Sequence, residues 1–167
     1  MKKFIKESLY IVSISLFFGV IRFWILEDDF DLLKKERVAK EVACDDIPDQ
    51  TFEPIQVSIE CVKQMIKDNL ATIIDSRDRE EFVSGNIPGS INIPYNEIDE
   101  GLDDAIFDLE DLDRDDIYIV YCGGAELKCD ISQYLSEEMI GSAFEFKRVL
   151  LYEGGWAEWS KEERNNE

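Results

Sequence analysis

The residues best placed to do chemistry lie between Ile117 and Asp130, in the run Ile-Tyr-Ile-Val-Tyr-Cys-Gly-Gly-Ala-Glu-Leu-Lys-Cys-Asp. Ile117, Ile119 and Val120 have the short, β-branched pattern of a buried strand, which stops at Cys122. The two glycines that follow let the backbone turn tightly and approach a ligand. From Cys129 or Asp130 the spacing of Ile131, Tyr134, Leu135 and Met139 predicts a helix. A thiol is thus delivered to a loop of amides beside a helix N-terminus, an arrangement that favours an anion, thiolate included. Gly123, Gly124, Ala125, Glu126, Leu127 and Lys128 form the expected substrate-binding loop, with Cys122 as nucleophile and Cys129 as a second redox cysteine. Glu126 opposes an anionic donor if it points inward.

The rest of the composition narrows the chemistry. The chain has no histidine, which removes Cys-His dyads, Ser-His-Asp triads and histidine-ligated metals. Lowering the thiol pKa therefore falls to loop N–H groups, the helix dipole and Lys128. A net charge of -20, from 38 acidic and 18 basic residues, argues against a nucleic-acid partner, because phosphate contacts need clustered Lys and Arg. The four cysteines, Cys44, Cys61, Cys122 and Cys129, are too few and too irregularly spaced for a disulfide scaffold or zinc ribbon. Only the last two read as a functional pair, and Cys61 reads as a small hydrophobe packing a helix. No metal or cofactor is expected.

The elements that must position the cysteine alternate. With 167 residues, the chain has room for one domain plus an N-terminal appendage. Residues 1–27 read as a membrane anchor: Lys2, Lys3 and Lys6 precede an apolar run over Leu9 to Leu26, which as one helix would span roughly 27 Å. A cleaved secretory signal is the alternative, but no small-x-small site follows the run. The basic front favours a cytoplasmic N-terminus, which puts the domain on the outer, periplasmic side of a bacterial inner membrane. Residues 28–51 read as a juxtamembrane helix and linker, 52–162 as the domain and 163–167 as a disordered tail. Within the domain, strands are expected at Ile55–Val57, Ala71–Asp75, Ser90–Pro94, Ile117–Tyr121 and Arg148–Tyr152, with Ser58 as an N-cap between the first two. One or two acidic amphipathic helices fill Asn96 to Asp116. The nearly continuous apolar strands are those of a buried parallel sheet, so the class is α/β. Asp75 and Arg77 fall at the carboxyl edge of that sheet, where they read as pocket-shaping residues joined in a structural pair.

Asp75-Ser-Arg-Asp-Arg-Glu-Glu-Phe82, Gly85-Asn-Ile-Pro-Gly-Ser-Ile-Asn-Ile-Pro94, the strand-Cys122-loop-helix unit and Glu153-Gly-Gly-Trp-Ala-Glu-Trp159 occur in that order. Together they resemble the rhodanese-like family over roughly Phe52 to Trp159. The resemblance implies a central five-stranded parallel sheet flanked by helices and sulfane-sulfur transfer through a Cys122 persulfide to a thiol or other thiophilic acceptor. The sulfur would come from a small sulfur-containing anion or a persulfide. Two departures stand out. Asn86 replaces a common His in a turn, and the loop reads Cys122-x5-Lys128, the length of the related dual-specificity phosphatases and arsenate reductases but with Lys for their Arg. Lysine lacks the bidentate fork that matches phosphate oxygens. Two function classes remain, a membrane-anchored sulfurtransferase and a catalytically silent or redox-responsive interaction domain, with a phosphatase or arsenate reductase a distant third.

Overall fold

The computed structural model describes residues 2–25, 41–99, 103–124 and 130–166. The chain divides into two units, Met1–Val38 and Ala39–Glu167.

In the first unit the described residues form a helix, α1, from Lys2 to Ile25. Leu9, Tyr10, Ile11, Val12, Phe17 and Phe18 are each more than half exposed within the chain. Among the described residues no helix is long and apolar enough to cross a membrane. The membrane anchor expected over Leu9 to Leu26 is not shown by these residues. Leu26 and the juxtamembrane helix expected before Cys44 lie mostly outside the described residues.

The second unit is a three-layer α/β domain. Its elements are β1 (Ile55–Gln56), α2 (Ile59–Lys67), β2 (Thr72–Asp75), α3 (Arg79–Ser84), β3 (Ile91–Asn92), α4 (Tyr95–Asp99), α5 (Asp103–Glu110), β4 (Ile117–Tyr121), α6 (Asp130–Ile140), β5 (Arg148–Tyr152) and α7 (Gly155–Asn166). The five strands are ordered β1-β5-β4-β2-β3, every pairing is parallel, and β4 is central. The strands thus fall where the sequence places them. The C-terminal helix continues to Asn166, through most of the stretch expected to be a tail.

Two-residue periodicity explains the layers, because successive side chains leave a strand on opposite faces. Ile73, Ile119, Tyr121, Leu150 and Tyr152 point into one core with Ile59, Val62 and Met65 of α2 and Trp159 of α7. Ile74, Tyr118, Val120 and Val149 point into the other, with Leu109 of α5 and Leu135 and Met139 of α6. Ile119 and Val120 are completely buried, and each such side chain contributes roughly 1.5–3 kcal/mol by leaving water. Ser58 caps α2 as expected, its hydroxyl accepting from the Cys61 amide at 3.4 Å.

Cys61 is not a free packing residue: it forms a disulfide with Cys44, with 5.3 Å between the Cα atoms. Sequence spacing underestimates this pair because 17 residues of chain fold back, through β1, to bring the strap before the domain against α2.

Candidate functional site

The chain leaves β2 toward β3 at one edge of the sheet, and leaves β4 toward β5 on the other side. The carboxyl ends of β2 and β4 therefore flank the point where the strand order reverses, the place where open α/β sheets form sites. Asp75 ends β2 and Tyr121 ends β4, paired side by side, and Cys122 follows immediately.

Cys122 is completely buried and disulfide-bonded. Its carbonyl oxygen accepts from the Trp156 amide at 2.9 Å, and that of Gly123 accepts from the Ala157 amide at 2.9 Å. Those two N–H groups belong to the first turn of α7, where no partner exists within the helix, so the cysteine loop caps α7. The approach is as close as backbones allow. Gly124 has φ +65°, and a Cβ there would run into the Gly154 carbonyl; Gly155 has φ +55°, and a Cβ there would run into that of Cys122. Both positions need glycine for conformation and for space. The remaining expected loop residues, Ala125, Glu126, Leu127 and Lys128, and the second cysteine, Cys129, lie outside the described residues.

Behind the loop is a buried polar network. Asp75 is completely buried and Arg77 is 3% exposed. The Arg77 guanidinium donates to Asp75 through Nε, at 2.9 and 3.2 Å, and through Nη2, at 2.6 Å; Nη2 also donates to the Gly85 carbonyl at 2.7 Å. Burial works against the Arg77 charge, but the hydrogen bonds and charge of Asp75 outweigh it and hold the guanidinium above its ordinary pKa. The same guanidinium lies 5.8 Å from the ring centre of Tyr121 and 5.6 Å from that of Trp156. Arg77 is thus held by Asp75, the Gly85 carbonyl and two aromatic rings, and the Asp-Arg pair is a buried structural pair beside the cysteine loop. Tyr121 closes the network. Its hydroxyl donates to Asp75 at 2.5 Å and accepts from the Ile87 amide at 3.1 Å, and Ser90 Oγ lies 3.3 Å away. Burial, followed by the hydrogen bond to Asp75, pushes the Tyr121 pKa up to about 12. Ser76 adds an anchor, its amide and hydroxyl both donating to the Tyr121 carbonyl, at 2.9 and 2.8 Å.

The structure places Cys122, Asp75 and Arg77, singled out from the sequence, at adjacent strand ends together with Tyr121, Ser76 and Ser90, whose only signal is their place beside those ends. Asn92, which the sequence did not single out, donates through its amide to the Asp75 and Arg77 carbonyls at 2.9 and 2.8 Å. Asn86, standing where a histidine was expected, has a structural role: its amide donates to the Phe82 carbonyl at 3.0 Å and closes the turn after α3. Among the described residues no group of His, Cys, Asp or Glu could hold a metal ion.

This arrangement can be set beside known proteins. The profile of the rhodanese-like domain matches residues 58–162. A tRNA uridine(34) hydroxylase of Hamiltonella defensa is 29% identical over 142 residues, covering 82% of this chain but only 36% of that protein. The human thiosulfate:glutathione sulfurtransferase is 25% identical over 114 residues, covering 64% of this chain and 94% of that one. Among solved structures, the BH2092 protein of Bacillus halodurans superposes with a TM-score of 0.50 at 26% identity, over 65% of this chain and 72% of that one.

Proposed function

Because this chain belongs to the rhodanese-like domain family, we propose that it is a sulfurtransferase in which Cys122 carries sulfane sulfur as a persulfide. The observation that supports this most is the position of Cys122: it follows the central strand at the switch point, with its loop capping α7 and the Asp75-Arg77-Tyr121 network beneath. In the proposed cycle the Cys122 thiolate attacks the outer sulfur of a thiosulfate or persulfide donor. A sulfur–sulfur bond forms to Cys122, the donor's bond breaks, and sulfite or the donor thiolate departs with the electron pair. An acceptor thiolate then attacks the outer sulfur of the persulfide and leaves with it, returning the Cys122 thiolate.

Cys122 is disulfide-bonded in this structure, so the cycle starts only after a two-electron reduction. Cys44 and Cys61 take each other, which leaves Cys129 as our proposed partner for Cys122. That assignment gives the second reading its content: the oxidised pair would be the resting state of a redox-responsive domain. Lys128 would hold an anionic donor.

The exposed apolar residues of α1 support attachment to lipid, and the Cys44–Cys61 disulfide supports an oxidising compartment such as the outer side of a bacterial inner membrane. Retention in membranes after an alkaline carbonate wash tests the attachment.

The deciding experiment reduces the protein, removes the reductant, adds thiosulfate or glutathione persulfide, and maps peptides by mass. A 32-Da adduct on the Cys122 peptide, absent in Cys122→Ser, is expected. An unmodified Cys122 peptide with every donor would leave the redox-responsive reading in its place.

A further inference from the structure

The geometry points to a thiol-releasable clasp at the sheet edge farthest from β3: the Cys44–Cys61 disulfide holds the strap of residues 41–47 against strand β1. β1 is an edge strand of two residues, paired to β5 on one side only. Its other side would present unpaired backbone groups, which a neighbouring chain could pair with. The strap covers it. Glu41 forms a parallel bridge with Gln56, and the Val42 amide donates to the Gln56 carbonyl at 3.0 Å. After a tight turn, in which the Asp46 amide donates to the Ala43 carbonyl at 2.9 Å, Cys44 and Ile47 pack on the core beside α2.

So short a ladder holds weakly by itself: among the described residues one bridge and one hydrogen bond contribute little against the entropy of ordering seven residues. The covalent link to Cys61, in the first turn of α2, is what fastens it.

The two residues differ in exposure. Cys61 is 4% exposed, whereas Cys44 is only half-buried and lies on the outer strap. A dithiol reductant would therefore attack the Cys44 sulfur, forming a mixed disulfide there and expelling Cys61 as a thiolate. That thiolate leaves in the first turn of α2, where the helix dipole favours negative charge. The reductant's second thiol then displaces Cys44, so that two protein thiols form as the dithiol becomes a disulfide. The strap peels away, and the outer edge of β1 opens without disturbance of β4 or β5. This device works independently of Cys122 and of the sulfur-transfer reading.

Amide exchange of the full chain, followed by NMR, tests the clasp in three states: oxidised wild type, wild type reduced with dithiothreitol, and oxidised Cys44→Ser/Cys61→Ser, which keeps Cys122 in its disulfide. In both opened states the Val42 amide should exchange at least tenfold faster while Ile119 and Val120 stay protected. Limited reduction followed by alkylation should leave the mixed disulfide or label at Cys44 first. Unchanged Val42 protection in the opened states would overturn the inference, showing that packing alone holds the strap. Equal loss of protection at Val42 and in β4 in the reduced wild type would also overturn it, since the disulfide would then be part of global stability. Should the double variant fail to fold, the reduced wild type supplies the same two outcomes.

Discussion

Replacing Asp75 by asparagine keeps the shape of the side chain and removes its charge. The Arg77 guanidinium, 4% exposed in its side chain, would then keep its charge without a counter-ion. Two of the three oxygen contacts within 3.0 Å of the guanidinium are to Asp75, and the third is to the Gly85 carbonyl. The asparagine NH2 must also face either the guanidinium or the Tyr121 hydroxyl, both of which now donate to Asp75. Removing one partner of a buried pair in this way costs about 3–5 kcal/mol, a large share of the roughly 5–15 kcal/mol that holds a domain folded. With an m-value of about 2 kcal/mol/M, the urea midpoint should fall by roughly 1.5–2.5 M. Apolar replacement of both partners, Asp75→Leu with Arg77→Met, should recover part of the loss, with a coupling of about 2 kcal/mol relative to the two single changes. A midpoint shift under about 0.5 M for Asp75→Asn, or strict additivity in the cycle, would refute the view that this buried pair is held by mutual neutralisation.

Three further outcomes are expected. Cys44→Ser/Cys61→Ser frees the strap locally, so the main urea transition should keep its midpoint within about 0.5 M, well short of the ~3 kcal/mol expected if the 17-residue closure constrained the whole domain. Gly124→Ala puts a side chain at φ +65° against the Gly154 carbonyl, which should cost at least ~1–2 kcal/mol in a thermal or urea melt and abolish persulfide formation at Cys122; Ser90→Ala, which loses only a 3.3 Å contact, should leave persulfide formation intact. The pH dependence follows from Tyr121. Its folded pKa, about 12, lies above the ordinary 10.0, so its contribution to stability is whole below pH 10 and is lost as pH rises toward 12. Tyr121→Phe should flatten that alkaline decline in urea melts taken between pH 9 and 12, and an unchanged slope would show that other groups set it.

The strand pattern was legible because parallel strands buried on both faces read as unbroken apolar runs, as in Ile73-Ile74 and Ile119-Val120. Asp75 and Arg77 were legible as a pair because burying either charge without the other is costly. The Tyr121 hydroxyl was not, since the residue reads as one more apolar strand position until the backbone brings Asp75 within 2.5 Å of it. The Cys44–Cys61 bond escaped for a related reason: pairing depends on where the strap returns in space, and periodicity carries no such distance. The apolar N-terminal run was legible as a helix, and among its described residues no membrane span is found.

The capping of α7 by the cysteine loop ties the oxidation state of one sulfur to the far end of the chain. Whatever shifts the Cys122 and Gly123 carbonyls withdraws the acceptors from Trp156 and Ala157, and the helix then frays from its first turn. Trp156 sits in that turn against Arg77, and Trp159 follows one turn later in the core. The domain therefore carries its own optical gauge: indole emission should follow loading and unloading of the loop without any attached dye, and a partner holding α7 would sense the sulfur without touching it.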